Sequence, residues 1–163
     1  MEPTYREAGP EDAGDIVRLL AAVAAENKWI RTEIPFDMLE RERRLAVAMK
    51  TGDTVSFLAQ SGATIVGELT LHFREDRAAF GMVVAESHRG QGLGRALVSL
   101  AVAKARERAA TQIELAVYAH NAPARELYRS AGFTECGPPA LEVRSDGQRW
   151  KAIPMSKTLQ ESS

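Results

Sequence analysis

The sequence predicts one α/β domain whose mixed β-sheet is covered by helices on both faces. The length of 163 residues suits a single domain with a substantial core. Apolar residues recur at helical spacing over residues 16–23, whereas Leu69, Leu71 and Phe73 alternate with polar residues, which is typical of a half-buried strand. Taken in order, the elements read β-α-α-β-β-β-α-β-α-β-β, and a three-strand meander followed by strand–helix crossovers gives a mixed sheet.

The first half of the chain is predicted to contain a strand, two helices and a hairpin. Pro10, Glu11 and Asp12 favour a helix start, because proline suits the first turn and acidic side chains suit the positive end of the helix dipole. The second helix is expected to turn Leu45 inward and Arg41 outward. The predicted bounds are residues 5–8 (strand), 10 to about 25 and about 36–49 (helices), and 55–60 and 63–73 (strands closed by a turn at Ser61-Gly62).

The second half of the chain is predicted to contain strand–helix crossovers and two closing strands. Asn121 is expected to cap a helix that Gly132 ends. Residues 145–147, Ser-Asp-Gly, are expected to form the turn between the last two strands, and residues 160–163 are expected to be frayed. The predicted bounds are residues 78–85 (strand), 92 to about 108 (helix), 113–118 (strand), 121–131 (helix), and 133–136 and 150–157 (strands).

Composition and charge argue against several classes of protein. The formal net charge of -1 disfavours a general nucleic-acid binder, which normally carries a basic excess. Cys136 is the only cysteine and the three histidines are scattered, so neither a disulfide nor a metal site is predicted. The N-terminal residues lack a signal-peptide pattern, and no aliphatic stretch is long enough to cross a bilayer. We therefore expect a cytoplasmic protein with no metal, no nucleic-acid partner and no membrane partner.

A glycine-rich loop, Arg89-Gly90-Gln91-Gly92-Leu93-Gly94, joins a predicted strand to an amphipathic helix. Glycines let the backbone approach an anion, and the free amides and dipole of a helix start attract it. A Walker loop is excluded because Gly94 is followed by Arg95 and alanine, and the dinucleotide fingerprint fails because its third glycine position holds Arg95. Physical reasoning alone therefore predicts an anion site.

The loop resembles the Q/R-x-x-G-x-G/A signature of the GNAT superfamily of N-acetyltransferases. A second segment, residues 121–133 (NAPARELYRSAGF), is similar to the N-x-x-A-x-x-L-Y-x-x-x-G-F segment of the same family. The resemblance is close over residues 82–133, and the element order fits nearly the whole chain. It implies a single GNAT-like acyl-CoA N-acyltransferase domain over residues 1–163, with acetyl-CoA as the acetyl donor.

The resemblance also implies which residues hold the donor. Amides of the loop would bind the pyrophosphate, with the charges of Arg89 and Arg95 beside it, and the backbone of residues 82–84 would bind the pantetheine arm. An amide of Val83 or Val84 would polarise the thioester carbonyl. The full set implied for the donor is Met82, Val83, Val84, Arg89, Gly90, Gln91, Gly92, Leu93, Gly94, Arg95, Asn121 and Tyr128.

Two proton-transfer groups are needed for the reaction that the resemblance implies. Tyr128 matches the family's proton donor to the leaving thiolate; its other interpretation is a tyrosine packed in the core. An aliphatic amine has a pKa of about 10, so a base must accept its proton. Glu68, in the middle of a strand on its polar face, is the leading candidate, and His72 and Glu33 are alternatives. Each could equally be a solvated surface group.

The acceptor is expected to lie against residues 29–36, which combine aromatic side chains with both charges. Trp29 and Glu33 are the predicted acceptor-binding residues, although a large aromatic can also simply anchor a loop. A small amine, such as an amino acid or an amine-bearing toxin, is the preferred acceptor. The alternatives are a protein N-terminus or lysine, favoured by an open groove between this loop and the last hairpin, and a non-catalytic acyl-CoA-binding module. Many relatives are dimers, so a homodimer is a further hypothesis.

Overall fold

The structure, a computed structural model, describes residues 2–159, so the tail predicted to be frayed lies outside the described residues. Over this range an eight-stranded sheet is combined with four α-helices. The strands are β1 (Thr4–Glu7), β2 (Thr54–Ser61), β3 (Thr64–Arg74), β4 (Arg77–Val84), β5 (Gln112–Tyr118), β6 (Thr134–Glu135), β7 (Ala140–Val143) and β8 (Arg149–Thr158). The helices are α1 (Ala13–Ala24), α2 (Met38–Thr51), α3 (Leu93–Glu107) and α4 (Ala122–Ser130).

The sheet has the order β1-β2-β3-β4-β5-β8-β6, and β7 also pairs with β8. The β4–β5 pair is parallel and the other pairs are antiparallel. The prediction of a mixed sheet is therefore confirmed, with its single parallel contact at the centre.

The two central strands diverge into a wedge, which we call the β4–β5 wedge. They pair only at residues 77–79 with 112–114. In contrast, β4 pairs with β3 along its whole length, and β5 pairs with β8 along its whole length. The sheet therefore opens at its centre while each half stays intact.

Helices pack on opposite faces of the sheet. On one face, Gly67 of β3 lies so close to α3 that a Cβ there would be 3.4 Å from the Leu97 side chain. On the other face, Val83 of β4 packs with Leu19 and Val23 of α1. Because Val83 is directly opposite Glu68 in the β3–β4 register, Glu68 shares the α1 face. The alternation of β3 thus sends its apolar residues to α3 and its polar residues towards α1 and α2.

The sequence-based prediction missed one strand and placed the start of α2 too early. The missed strand is β7; its Leu141 and Val143 are 60% and 66% exposed, so no burial pattern distinguishes it from a loop. The turn at residues 145–147 consequently lies between β7 and β8 rather than after the strand that follows α4. Helix α2 begins at Met38, not near residue 36, because the Asp37 side chain caps it by accepting a hydrogen bond from the Glu40 amide at 3.0 Å.

The first helical segment also starts differently from the prediction. Residues Pro10–Asp12 form a 3-10 turn that leads into α1.

None of the helices within residues 2–159 is long and apolar enough to cross a membrane.

Candidate active site

A cavity of about 960 Å³ occupies the β4–β5 wedge and extends towards α1 and α2. Most of the residues predicted to form the site line it. They are Trp29, Glu68, Met82, Val83, Val84, Arg89, Gly90, Gly92, Leu93, Gly94, Asn121 and Tyr128. Gln91 and Arg95 have exposed side chains and do not line it, and neither does Glu33. The fold therefore places most residues of the two motifs, together with Glu68, in the wall of one cavity.

The glycine loop leaves open space on the cavity side of the start of α3. Gly90 and Gly92 have φ values of +75° and +86°, and a Cβ at either position would meet nothing within 4 Å. The first helical hydrogen bond runs from the Ala96 amide to the Gly92 carbonyl at 3.2 Å. The amides of the first helical turn therefore have no intrahelical partner, which makes this end of α3 suited to an anion.

Gly94, unlike Gly90 and Gly92, lies in a tightly packed environment. A Cβ at Gly94 would lie 3.0 Å from the Leu127 side chain and 3.1 Å from the Met82 side chain. Glycine here lets the start of α3 touch both α4 and β4. A larger residue would require the Leu127 and Met82 side chains to move.

The side chain of Arg89 holds the glycine loop against its surroundings. Its guanidinium donates two hydrogen bonds of 2.7 Å to the Glu26 carboxylate and one of 3.0 Å to the Val84 carbonyl. The hydrogen bonds from Arg89 lower the pKa of Glu26, so the pair is ionised and its net charge is zero. The charge of Arg89, which was predicted to lie beside the pyrophosphate, is therefore compensated by Glu26.

Tyr128 lies in the cavity wall on α4. Its ring is buried and packs edge-on against Phe80 and Phe133, with ring centroids 5.8 and 6.1 Å away. Within residues 2–159 no side chain or backbone group accepts a hydrogen bond from its hydroxyl, and burial raises the pKa of the phenol. Tyr128 is therefore protonated at neutral pH, and its burial also makes the phenol a weaker acid than a free tyrosine.

Asn121 caps α4, as the sequence predicts. Its side-chain oxygen accepts a hydrogen bond of 3.3 Å from the Ala124 amide. Because the oxygen is used in the cap, the side-chain NH2 of Asn121 is the part that can face a ligand in the cavity.

Glu68 is a buried carboxyl held by a short chain of hydroxyl groups. Thr70 Oγ1 donates a 2.6 Å hydrogen bond to Glu68 Oε2, and Ser56 Oγ lies 2.8 Å from Thr70 Oγ1. Burial raises the pKa of Glu68 to about 7, and the Thr70 hydrogen bond and the charge of Arg41 act against that rise. A carboxyl with a pKa near neutrality can accept a proton and release it again.

The two other candidate bases lie in different places. His72 lines the cavity, where its Nδ1 is 3.1 Å from Thr54 Oγ1, and burial lowers the pKa of its imidazole. Glu33 accepts hydrogen bonds from the amide and the hydroxyl of Ser145, at 3.1 and 2.6 Å. The fold therefore places Glu68 and His72 together and directs Glu33 to the last hairpin.

The β7–β8 hairpin is bonded to the loop of residues 25–37, which we call the acceptor loop after its predicted role. The Arg144 side chain is 3% exposed; it donates hydrogen bonds to the carbonyls of Ile30 (3.1 Å) and Arg31 (2.9 Å) and to Asn27 Oδ1 (2.9 Å). Its guanidinium lies 3.8 Å from the centroid of the Trp150 ring. Together with the Glu33–Ser145 pair, these bonds close the gap between loop and hairpin.

A second ion pair strengthens this closure at the cavity wall. Arg31 Nη2 lies 2.6 Å from Glu142 Oε2, and the Tyr118 hydroxyl donates a 2.7 Å hydrogen bond to the same carboxylate. Trp29 lines the cavity and also donates a 3.2 Å hydrogen bond to Glu26. Trp29 is therefore both an anchor for the acceptor loop and part of the cavity wall.

Arg41 is a functional candidate that sequence reasoning placed on the wrong side of α2. It lines the cavity together with Leu45, one helical turn further on. The prediction that Arg41 faces outward is wrong. Because no residue of α2 is fully buried, the apolar residues of this helix do not define which of its faces points to the cavity. The spacing of four residues from Leu45, which was correctly predicted to face inward, was the available signal.

No group of three or more histidine, cysteine, aspartate or glutamate side chains within residues 2–159 is arranged to hold a metal ion.

A family model described as the acetyltransferase (GNAT) family matches residues 19–133 of the chain. The chain belongs to this family. The match confirms the predicted superfamily, and the mixed sheet with helices on both faces confirms the predicted fold class.

Individual relatives agree with this assignment. Streptothricin acetyltransferase of Streptomyces lavendulae is 41% identical over 86 residues, which are 53% of this chain and 41% of that protein. A ribosomal-protein-alanine N-acetyltransferase from Brucella melitensis is 26% identical with a TM-score of 0.85, over 96% of this chain and 99% of that chain. A GNAT superfamily phosphinothricin acetyltransferase from Sinorhizobium meliloti, solved with acetyl-CoA, is 20% identical with a TM-score of 0.85, over 98% of this chain and 89% of that chain.

Proposed function

We propose that this GNAT protein transfers an acetyl group from acetyl-CoA to a primary amine of a small molecule. The observation that carries the proposal is the cavity of about 960 Å³, which adjoins the glycine loop, the β4–β5 wedge, Tyr128 and Glu68. Acetyl-CoA supplies the thioester. Donor, proton donor and base would therefore meet in one connected space.

The donor side of the cavity fits a long molecule with an anionic end. The open space at Gly90 and Gly92 beside the start of α3 suits a pyrophosphate. The edge of β4 from Phe80 onwards is unpaired with β5, so its backbone groups are available to an extended arm in the wedge. The phosphinothricin acetyltransferase solved with acetyl-CoA supports this choice of donor.

Three groups of the chain would act on the reacting atoms. Glu68, with a pKa of about 7, accepts the proton that the amine loses; against an amine pKa of about 10 this step costs about 4 kcal/mol. A backbone amide of Val83 or Val84 donates a hydrogen bond to the thioester carbonyl oxygen as the amine nitrogen attacks its carbon. Tyr128 then donates its proton to the sulfur as the carbon–sulfur bond breaks.

The small size of the acceptor is supported by the closure between the acceptor loop and the β7–β8 hairpin. A protein substrate needs a groove into which a chain end or a lysine can be laid. Here Arg144 fills that gap with hydrogen bonds to Asn27, Ile30 and Arg31. The streptothricin and phosphinothricin acetyltransferases named above point to small amines as well.

A protein acceptor is the second candidate, favoured by the 26% identity to the ribosomal-protein-alanine N-acetyltransferase over 96% of this chain. A non-catalytic acyl-CoA-binding module is disfavoured because Glu68 and Tyr128 both line the cavity. The cytoplasmic location, the homodimer and the lack of nucleic-acid and membrane partners stay predictions from the sequence.

A thiol-release assay with acetyl-CoA tests the proposal against a panel of small amines and a panel of intact proteins. We expect turnover with small amines and none with intact proteins. The reverse result would favour the second candidate, and tight CoA binding without acetyl transfer to any amine would favour a binding module.

Tyr128→Phe tests the proton donor in the same assay. We expect kcat to fall about 10- to 100-fold while the affinity for CoA is unchanged, because the phenyl ring keeps the packing against Phe80 and Phe133. Tyr5→Phe, which removes a phenol on β1 away from the cavity, is the matched control and should leave kcat unchanged. An unchanged kcat in Tyr128→Phe would remove Tyr128 from the reaction.

A further inference from the structure

The wall of the cavity that α2 forms carries a positive charge. Arg41 and Leu45 lie one helical turn apart and both line the cavity. Across from them is the polar face of β3, with Glu68, Thr70 and His72. The polar groups at this end of the cavity are therefore side chains.

Arg41 differs from the two other arginines that line the cavity. Arg31 is paired with Glu142 at 2.6 Å, and Arg89 is paired with Glu26 at 2.7 Å. Among residues 2–159 no carboxylate pairs with Arg41, whose guanidinium carbon lies 5.8 Å from the centroid of the Phe36 ring. Its charge therefore stays uncompensated at the edge of the cavity.

The two adjacent acidic residues do not compensate this charge. Glu40 is directed to Arg43 and Arg44, at 3.6 and 3.8 Å. Glu42 is directed to α1, where its Oε1 would lie 3.1 Å from a Cβ at Gly14. The charge of Arg41 instead acts on Glu68 and His72, on the polar face of β3. Burial lowers the pKa of His72 and Arg41 lowers it further, while Arg41 partly offsets the rise that burial causes in the pKa of Glu68. His72 is therefore neutral at neutral pH, and Arg41 is the cation at this end.

Small residues leave room between Arg41 and the sheet. In the β3–β4 register Ala79 lies opposite His72 and Gly81 lies opposite Thr70, so both share the face that carries Glu68. A Cβ at Gly81 would meet nothing within 4 Å. The sheet therefore leaves space beside Glu68 in the cavity that Arg41 also lines.

We propose that the acceptor is an amine that also carries a carboxylate, with the carboxylate bound by Arg41 and the amine directed to Glu68. A guanidinium presents donors in a fork that matches a carboxylate, and the pair is strongest where water is partly excluded. The acceptor class is then that of amino acids and related zwitterions, and Arg41 would repel an acceptor with a second positive charge in place of the carboxylate. This inference rests on the proposed function, because it assigns the acceptor of that same reaction.

Matched pairs of acceptors test the inference, namely amino acids and their carboxamides, which share the amine and differ in the charge at the other group. With the full chain we expect kcat/KM to be at least tenfold higher for each acid than for its amide. In Arg41→Gln the ratio should fall to about one, through loss of rate with the acid. Arg43→Gln changes an exposed arginine of the same helix and should keep the wild-type ratio.

The ratio is the deciding quantity because Arg41 also acts on Glu68. Removing the guanidinium changes the protonation of Glu68 for both members of a pair equally, so a purely electrostatic role would lower both rates and leave the ratio intact. A ratio near one in the wild-type protein, or an unchanged ratio in Arg41→Gln, would overturn the inference.

A binding measurement separates failure of this inference from failure of the proposed function. By calorimetry on the CoA-bound protein, an N-acetylamino acid should bind at least tenfold more tightly than its amide, and Arg41→Gln should remove the difference. Equal binding and equal turnover of acids and amides would leave the proposed function standing and refute the role of Arg41. Absence of transfer to acids and amides alike, with CoA bound, would refute both.

Discussion

The two halves of the cavity are built in different ways. The half proposed to bind the donor, here the donor half, is formed by the glycine loop, β4 and α4. It depends on backbone geometry set by residues close together in sequence, such as Gly90, Gly92 and Gly94. The half proposed to bind the acceptor, here the acceptor half, is formed by the acceptor loop, α2 and the β7–β8 hairpin. It depends on side chains far apart in sequence; Arg144 and Asn27 are 117 residues apart. The donor half is therefore encoded as local motifs, whereas the acceptor half exists only once the chain has folded.

Glu68 stands between the two halves, and its replacement has the largest expected effect. Glu68→Gln should lower kcat at least 100-fold with unchanged affinity for CoA, because a base is removed and the donor half is untouched. In the wild-type protein the rate should rise with pH through an apparent pKa of about 7, since only the ionised carboxyl accepts a proton. A loss of CoA affinity in Glu68→Gln would contradict the conclusion that the donor half is independent of Glu68.

Gly92→Val should affect the donor half alone. A β-branched residue at a φ of +86° is strained by about 1–2 kcal/mol, and its side chain would project into the space beside the amides of α3. We expect the Kd for CoA to rise about 30-fold by calorimetry. Gly52→Val, at a φ of +83° at the end of α2, carries the same backbone strain away from the cavity and should leave that Kd unchanged. Equal losses in both variants would indicate general destabilisation.

Arg144→Met should affect the acceptor half alone. Methionine keeps the contact with Trp150 but removes the hydrogen bonds to the acceptor loop. We expect the KM for the acceptor to rise about fivefold, hydrogen exchange of the amides in residues 27–31 to become faster, and the Kd for CoA to stay constant. Arg149→Met, at an exposed position of the same hairpin, is the control. Unchanged hydrogen exchange would show that the loop is held by other contacts.

Ser56→Ala should give the smallest effect, through the hydroxyl chain behind Glu68. Because Thr70 donates its proton to Glu68, Ser56 donates to Thr70 and supports the ionised carboxylate. Without Ser56 the midpoint of the pH–rate profile should move up by a few tenths of a pH unit, with about a twofold loss of rate at pH 7. Ser99→Ala, on the exposed side of α3, should leave the midpoint in place. A downward shift would contradict this arrangement.

The same division explains what could be predicted from the sequence. The glycine loop, the Asn121 cap, Tyr128 and the polar face of β3 follow from spacing within one or two elements, and the structure places them around the cavity. Arg144 precedes the predicted turn at residues 145–147 and shows no pattern that predicts its contacts, and the prediction for Arg41 was the outer face of α2. Their contacts depend on the packing of distant segments, which local periodicity does not encode.

Strand β7 and the position of Glu33 escaped prediction for the same reason. An edge strand with exposed Leu141 and Val143 shows no burial pattern. The partner of Glu33 is Ser145, 112 residues away in sequence. The sequence could thus predict that the residues of the glycine loop and Tyr128 lie near one another, whereas the contacts of the acceptor loop required the folded arrangement.

The β4–β5 wedge has a consequence for the stability of the protein. Between the two halves of the sheet, direct strand pairing is limited to residues 77–79 with 112–114, so an arm bound in the wedge would take the place of the missing strand contacts. A ligand that binds only the folded state adds about 2.7 kcal/mol to the free energy of unfolding at 100 times its Kd. The thermal midpoint of this protein should therefore follow the concentration of its own donor substrate.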